Sequence, residues 1–275
     1  MPTETLSAKK EKLTVRLKAL QSVAVAFSGG VDSAFLAVMA RQILEDRMIA
    51  LKAVSPIHSG REHQAALQFA ETFDLPLKVI STDELGVPGF VDNPADRCYL
   101  CKQYLISLMA AQAEKLGFTH IAHGANLDDL DDYRPGFKAA KELDIKAPLI
   151  DAGLTKAEIR RLSREMGLPT WNRPAMACLA SRVPYGMPLT KTILEKIAQA
   201  ENHLYDLGLA TCRVRHHGNL ARIEVDPAEF SRLVSGPARE GLVAGLKALG
   251  YDHICLDLEG YVQGSLNRAL EQQEK

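Results

Sequence analysis

The stretch VAVAFSGGVDSAFLAVMA, residues 23–40, limits the fold more than any other. An apolar run, SVAVAF (22–27), stops at Ser28-Gly29-Gly30, and a helix then runs from about Asp32 to Leu44. A short, continuously apolar run bounded by glycines reads as a strand buried on both faces, as in a parallel sheet. The same alternation recurs downstream. IALKAVSP (49–56), PLKVIST (76–82) and THIAHGAN (119–126) read as strands. EHQAALQFAETFDL (62–75), CYLCKQYLISLMAAQAEKLG (98–117) and TKAEIRRLSREMGL (155–168) read as helices. Ala66, Phe69, Ala70 and Phe73 form one helical stripe, Gly117 closes the second helix, and Thr155 with Glu158 spells a capping box. Alternating strands and helices predict an α/β fold, a parallel sheet with helices on both faces. Ligands of such sheets bind beyond the carboxyl ends of the strands, where Ser28, Ser55, Thr82 and His123 fall.

The pattern changes after residue 168. GLPTWNRPAMACLASRVPYGMPLT (167–190) holds four prolines and little periodicity, and reads as a linker or site loop. A helix (191–207), two strands (211–217 and 220–226), a helix (238–249) and a strand (253–258) then predict a smaller α+β unit. The expected division is 1–168 and 169–275, with no internal repeat and no low-complexity segment.

Composition sets limits. A chain of 275 residues, 47% hydrophobic and 24% charged, can bury a sizeable core. No apolar run reaches the length of a bilayer span, and MPTETLSAKKEKLTVRLKAL reads as an amphipathic helix rather than a secretory signal. The expected location is the cytoplasm. With 33 basic and 34 acidic residues the net charge is -1, which lends no support to a nucleic-acid partner.

Gly29 and Gly30 let a ligand approach the backbone closely, and the amides and dipole of the following helix favour an anion. Ser28 and Ser33 add hydroxyl donors, and Asp32 stands where an acid can cap the helix. The turn is not a Walker loop, because no lysine occurs between Lys18 and Lys52. A plain tight turn is the alternative, but S-G-G-x-D-S between a buried strand and a helix is a narrow pattern.

SGGVDS resembles the signature of the PP-loop ATP pyrophosphatases, the adenine nucleotide alpha hydrolase-like proteins. The resemblance implies that Ser28, Gly29, Gly30, Asp32 and Ser33 hold the pyrophosphate of ATP with Mg2+, that Ser55 and Gly124 belong to the same ATP site, and that Asp32 acts in catalysis. GANLDDLDDYRPG (124–136), WNRPAMACLASRVPYG (171–186) and RVRHHGNLARIEV (213–225) extend the resemblance over essentially the whole chain, to the LarE family. LarE proteins are ATP-dependent sulfur transferases of nickel-pincer-nucleotide biosynthesis, whose product serves lactate racemase and relatives. They adenylate the carboxylates of pyridinium-3,5-biscarboxylic acid mononucleotide and convert them to thiocarboxylates. The resemblance also implies a homo-oligomer, and the chemistry calls for a sulfide donor; hydropathy and net charge point to no membrane or nucleic-acid partner.

The remaining candidates follow from residue chemistry and this resemblance. Arg213, Arg215 and His217 alternate, so they share one face of a strand, and two arginine forks suit a phosphate. A solvated strand face is the alternative. Arg182 is a further candidate for the substrate phosphate. Glu201 resembles a family metal-site carboxylate, though a surface glutamate fits its position too. Asp128, Asp129, Asp131 and Asp132 follow a strand end, where they would hold magnesium or ribose hydroxyls if they are more than a solvated loop. Trp171, the single tryptophan, reads as packing.

Five cysteines bear on the sulfur source. In one LarE form a cysteine in the stretch matching AMACLASR gives up its own sulfur. In the other, three cysteines hold a 4Fe-4S cluster whose open iron carries sulfide. Cys98 and Cys101 form C-x-x-C one turn apart at a helix start, and Cys178 lies in the matching loop. Together they predict a cluster with one iron lacking a protein ligand. Zinc, a redox pair and a sacrificial Cys178 remain alternatives, as do a PP-loop tRNA thiolase and a non-enzymatic ATP-sensing module. Cys212 and Cys255 read as small buried strand residues.

Overall fold

The computed structural model describes residues 4–130, 135–174, 177–262 and 265–268. Contacts divide the chain into two compact units. The first comprises residues 1–55, 60–83 and 98–176, and the second 56–59, 84–97 and 177–275.

The first unit is built on four parallel strands, β1 (Val23–Ala26), β2 (Met48–Val54), β3 (Leu77–Ser81) and β4 (Ile121–His123), in the order β3-β2-β1-β4. A bridge between Ala122 and Lys146 extends the sheet beyond β4. Residue parity decides which face each side chain covers. Val23, Val25 and Phe27 join Met48 and Ala50 in one core. That core is filled from α1 (Leu6–Leu20), α2 (Val31–Leu44), α3 (Gly60–Thr72) and α7 (Lys156–Glu165). Ala24, Leu51, Ala53 and Ile121 face the other way, onto Leu105, Met109 and Ala113 of α4 (Arg97–Lys115). Helices therefore cover both faces, as the unbroken apolar strands require. The short helices α5 (Pro135–Glu142) and α6 (Pro148–Asp151) complete the unit, and the sequence pattern had not marked either.

The N-terminal helix packs through Leu13 and Leu17, both fully buried. The capping box of α7 is present. Thr155 Oγ1 accepts from the Glu158 amide at 3.3 Å, and Glu158 Oε2 accepts from the Thr155 amide at 2.9 Å. Glu158 also pairs with Lys9 of α1 at 2.8 Å, so one carboxylate ties two helices together.

The second unit carries a three-stranded sheet, β5 (Cys212–His217), β6 (Leu220–Val225) and β7 (His253–Leu256), in that order. The first pair is antiparallel and the second parallel. Helices α8 (Lys191–Asp206), α9 (Phe230–Leu233) and α10 (Gly236–Ala248) bury Ala200, Leu204, Leu233, Leu242 and Leu246 against Val214, Ile223 and Val225. The expected α+β composition is present. Cys212 is buried as expected, but Cys255 is exposed, which corrects the sequence reading. It lies on β7, which pairs on one side only, to β6.

Thr155→Ala removes the cap of α7 and should lower stability by about 1 kcal/mol in urea titration. Thr155→Ser should lose far less.

Candidate functional site

The glycine turn lies where the sequence places it. Ser28 follows β1, Gly30 is the N-cap residue of α2, and Gly29 adopts a φ of 89°. A Cβ at Gly29 would meet the Ala66 Cβ at 2.8 Å, so both conformation and space demand glycine. The two serines organise the loop. Their hydroxyls lie 2.9 Å apart, Ser28 Oγ accepts from the Gly30 amide at 3.2 Å, and Ser33 Oγ accepts from the Ser28 amide at 3.2 Å.

Gly124, just after β4, forms the second wall. A Cβ there would lie 2.7 Å from the Ser33 amide nitrogen and 2.9 Å from the Asp32 carbonyl carbon. The end of β4 thus presses on the first turn of α2, backbone against backbone. Ser55 and Thr82 are buried at the ends of β2 and β3, and Thr82 Oγ1 donates to the Val54 carbonyl at 3.4 Å.

Asp32 does not cap α2, as the sequence reading expected. The N-cap residue is Gly30, with no side-chain cap, and Asp32 reaches Lys156 at the start of α7 through its Oδ2. Burial raises the Asp32 pKa, and the Lys156 ammonium opposes that shift. Asp32 Oδ1 is buried and accepts no hydrogen bond among the described residues. A glycine loop closed on two sides, with donors exposed at a helix N-terminus, fits a polyphosphate and its accompanying cation.

Lys156 and Arg173 escaped the sequence reading. Arg173 Nη1 donates to the Gly29 carbonyl at 3.4 Å, while Arg160 holds the Trp171 and Arg173 carbonyls at 2.7 Å each. Trp171 packs under the Arg164 guanidinium at 5.1 Å. Neither cation stands near the loop in sequence; a basic residue one place after the capping Thr155 was the available signal.

The acidic run divides. Asp128 Oδ2 accepts from the Lys156 amide at 2.8 Å, and Asp129 Oδ2 from the Asn126 amide at 2.9 Å, so both brace the loop between β4 and α7. Asp131, Asp132, Tyr133 and Arg134 lie outside the described residues. His123 ends β4. Burial, with Lys102 adding to it, lowers its pKa to about 4, and Asp129 opposes the shift.

In the second unit the Cys178 loop is held from several sides. Arg182, 2% exposed, grips Glu201 with Nε at 2.9 Å and Nη2 at 3.1 Å. Its Nη1 donates to the carbonyls of Ala177 (2.6 Å) and Cys178 (3.0 Å) and to Ser181 Oγ (2.9 Å). Glu201 Oε1 also accepts the Val214 amide at 3.1 Å. Asn93 Nδ2 donates to the Pro184 and Met187 carbonyls at 2.7 and 3.0 Å. Arg215 forms a fork on Glu224 at 2.8 and 2.7 Å and donates to the Ser181 carbonyl at 2.8 Å. Arg213 is buried, donates to the Cys212 carbonyl at 2.7 Å and lies 5.1 Å over the Tyr261 ring. The alternation expected of β5 is real, but both arginine side chains are buried and engaged within the protein.

Cys98 is exposed and Cys101 half-buried in the first turns of α4, where Cys101 packs against the Leu105 and Met109 cluster. Cys178 is half-buried in the second unit. Among the described residues, no group of three or more His, Cys, Asp or Glu side chains is arranged to hold a metal ion. No helix among the described residues is long and apolar enough to cross a membrane.

A profile of the NAD synthase family matches residues 7–87, which include the glycine loop. A protein of Lactiplantibacillus plantarum, pyridinium-3,5-bisthiocarboxylic acid mononucleotide synthase, is 34% identical over 267 residues, 97% of this chain and 96% of that one. The chain belongs to the LarE family. An uncharacterized protein of Synechocystis is 38% identical over 265 residues, 96% of this chain and 99% of the relative. One of Methanocaldococcus jannaschii is 30% identical over 241 residues, 88% and 91% of the two chains. This LarE-family chain is an enzyme with the PP-loop α/β fold.

Two predictions follow from the geometry of the first unit. Gly124→Ala should displace the Ser33 amide and abolish ATP-dependent pyrophosphate release while the chain stays folded by circular dichroism. The His123 imidazole titrates lower in the folded chain than its ordinary value of 6.5, so unfolding takes up a proton on acidification. Stability should fall as pH drops from 6.5 towards about 4. His123→Asn should flatten that part of the denaturation profile.

Proposed function

We propose that this LarE-family enzyme is an ATP-dependent sulfur transferase acting on the carboxylates of a pyridinium dicarboxylate mononucleotide. The reading is carried by the glycine loop closed by Gly29 and Gly124, in a chain matching a pyridinium-3,5-bisthiocarboxylic acid mononucleotide synthase nearly end to end.

The amides and hydroxyls of Ser28, Gly29, Gly30 and Ser33 take the pyrophosphate end of ATP, with Ser55 and Gly124 bordering the nucleotide. Mg2+ would offset phosphate charge, and the buried Asp32 Oδ1 is the acceptor in this unit that fits it or its water shell. Lys156, already held by Asp32, adds a positive charge at the same end. A substrate carboxylate oxygen attacks the α-phosphorus, the α–β bridge bond breaks, and pyrophosphate leaves. The resulting acyl adenylate has a good leaving group. A sulfur nucleophile attacks the acyl carbon, and AMP departs with the original oxygen. The second carboxylate repeats the cycle.

Arg213 and Arg215 are the proposed seat of the substrate phosphate, supported by their shared strand face. The Arg215 fork already meets Glu224, so a phosphate there shares the guanidinium with a carboxylate. We assign Arg182 and Glu201 to fixing the Cys178 loop, because each neutralises the other in a buried site.

Sulfide carried on a 4Fe-4S cluster is the proposed source, supported by the C-x-x-C of Cys98 and Cys101 and by Cys178 in the matching loop. A bound cluster would present sulfide as the nucleophile. Expenditure of the sulfur of Cys178 itself is the second reading, favoured by the contacts that fix the Cys178 backbone in its loop. Iron and acid-labile sulfide, measured after anaerobic purification, separate the two. About four irons per chain, lost in Cys98→Ala, Cys101→Ala and Cys178→Ala together with multiple turnover, is expected. An iron-free chain whose Cys178 becomes dehydroalanine after one turnover would overturn the cluster. Asp32→Ala should abolish pyrophosphate release and leave the iron content unchanged.

A further inference from the structure

Lys52 lies on β2, an interior strand, and is 4% exposed. Burial lowers its pKa, and Glu62 is the charge that opposes the shift. No hydrogen bond or ion pair within 4 Å reaches its ammonium among the described residues. A side chain so largely withdrawn from water, with Glu62 as the one charge opposing the shift, holds an ammonium that a further anion would favour.

Strand register shows where that anion sits. Leu51 pairs with Ala26, and the Phe27 amide donates to the Leu51 carbonyl at 2.9 Å. Lys52 therefore stands beside Phe27, the residue leading into Ser28. Parity puts it on the face of Met48 and Ala50, between sheet and α3. There Phe27 packs on Phe69 of α3 with ring centroids 5.9 Å apart. Glu62 and Ala66 share one face of α3, one turn apart, and Ala66 is the residue the Gly29 backbone touches. Lys52 thus underlies the glycine loop, which has no lysine of its own.

We propose that the Lys52 ammonium is the buried cation of the nucleotide site, donating to the β- and γ-phosphates of the ATP held by the loop. The inference rests on the ATP reading of that loop. A charge-assisted contact to phosphate, in a layer closed by Phe27 and Phe69, compensates the desolvation that the apo protein bears. Lys52 does from the neighbouring strand what a Walker lysine does from within its own loop.

Calorimetric titration of the full chain with ATP, AMP and pyrophosphate tests this. Lys52→Met keeps the volume and should melt no lower than wild type. It should weaken ATP and pyrophosphate by about tenfold to a hundredfold, with AMP changed by less than about twofold. Lys52→Arg should recover most of the loss, and Glu62→Gln should not weaken ATP. Unchanged ATP affinity in Lys52→Met, or equal weakening of ATP and AMP, would overturn the proposal while leaving the loop assignment intact. Failure of both Lys52→Met and Lys52→Gln to fold would overturn it in favour of a structural ammonium. A wild-type chain that binds no ATP would overturn the loop assignment itself, and this proposal with it.

Discussion

The contact on which the first unit depends is backbone against backbone, at Gly124 and the first turn of α2. The Ser33 amide stands 2.7 Å from where a Cβ of residue 124 would be. Two strand ends can approach a helix N-terminus that closely only if side chains are absent. The outcome is a turn whose backbone amides are held in fixed directions at the N-terminus of α2. Asp32 and Lys156 complete it, the one at the start of α2 and the other at the start of α7. The capping box of α7 and the Asp128 contact hold Lys156 at that end of the helix. The cap of α7 and the partner of Asp32 are therefore adjacent residues, Thr155 and Lys156.

In the second unit the decisive interactions are buried ion pairs. Arg182 with Glu201, and Arg215 with Glu224, are each nearly shielded from water. Such pairs add little net stability compared with apolar packing, but removing one partner costs about 3–5 kcal/mol. Their use here is positional. The donors of Arg182 that Glu201 leaves over fall on the Ala177 and Cys178 carbonyls, and Arg215 holds the Ser181 carbonyl. The segment around Cys178, rich in proline and short of regular hydrogen bonds, is held in one conformation by these guanidinium contacts.

Much of this was legible in the sequence. Short apolar runs bounded by turn residues located the strands, and period-3.6 stripes located the long helices, because each element buries a defined surface. Ser28, Gly29, Gly30 and Ser33 were legible because few residue types satisfy a strand-to-helix turn of that shape. The pairing of the charged residues was not. Arg182 and Glu201 are 19 residues apart, and Lys156 and Asp32 are 124 apart. Sequence patterns report faces and turns, not which opposite charges meet across a core. Cys255 was misread for a related reason. A strand residue is buried only if its face is covered, and Cys255 alternates with Ile254 and Leu256, which take the face packed on the core. Segments 56–59 and 84–97 cluster with the second unit although the sequence flanks them with elements of the first.

The central claim is that the glycine loop holds ATP for attack by a substrate carboxylate. It is tested most directly by incubating the anaerobically purified chain with ATP, Mg2+, sulfide and pyridinium-3,5-biscarboxylic acid mononucleotide, following pyrophosphate, AMP and the substrate by mass spectrometry. The account predicts equimolar AMP and pyrophosphate, formed only with the mononucleotide present, and a carboxylate oxygen replaced by sulfur. ADP and phosphate as products, or ATP cleavage indifferent to the mononucleotide, would contradict it.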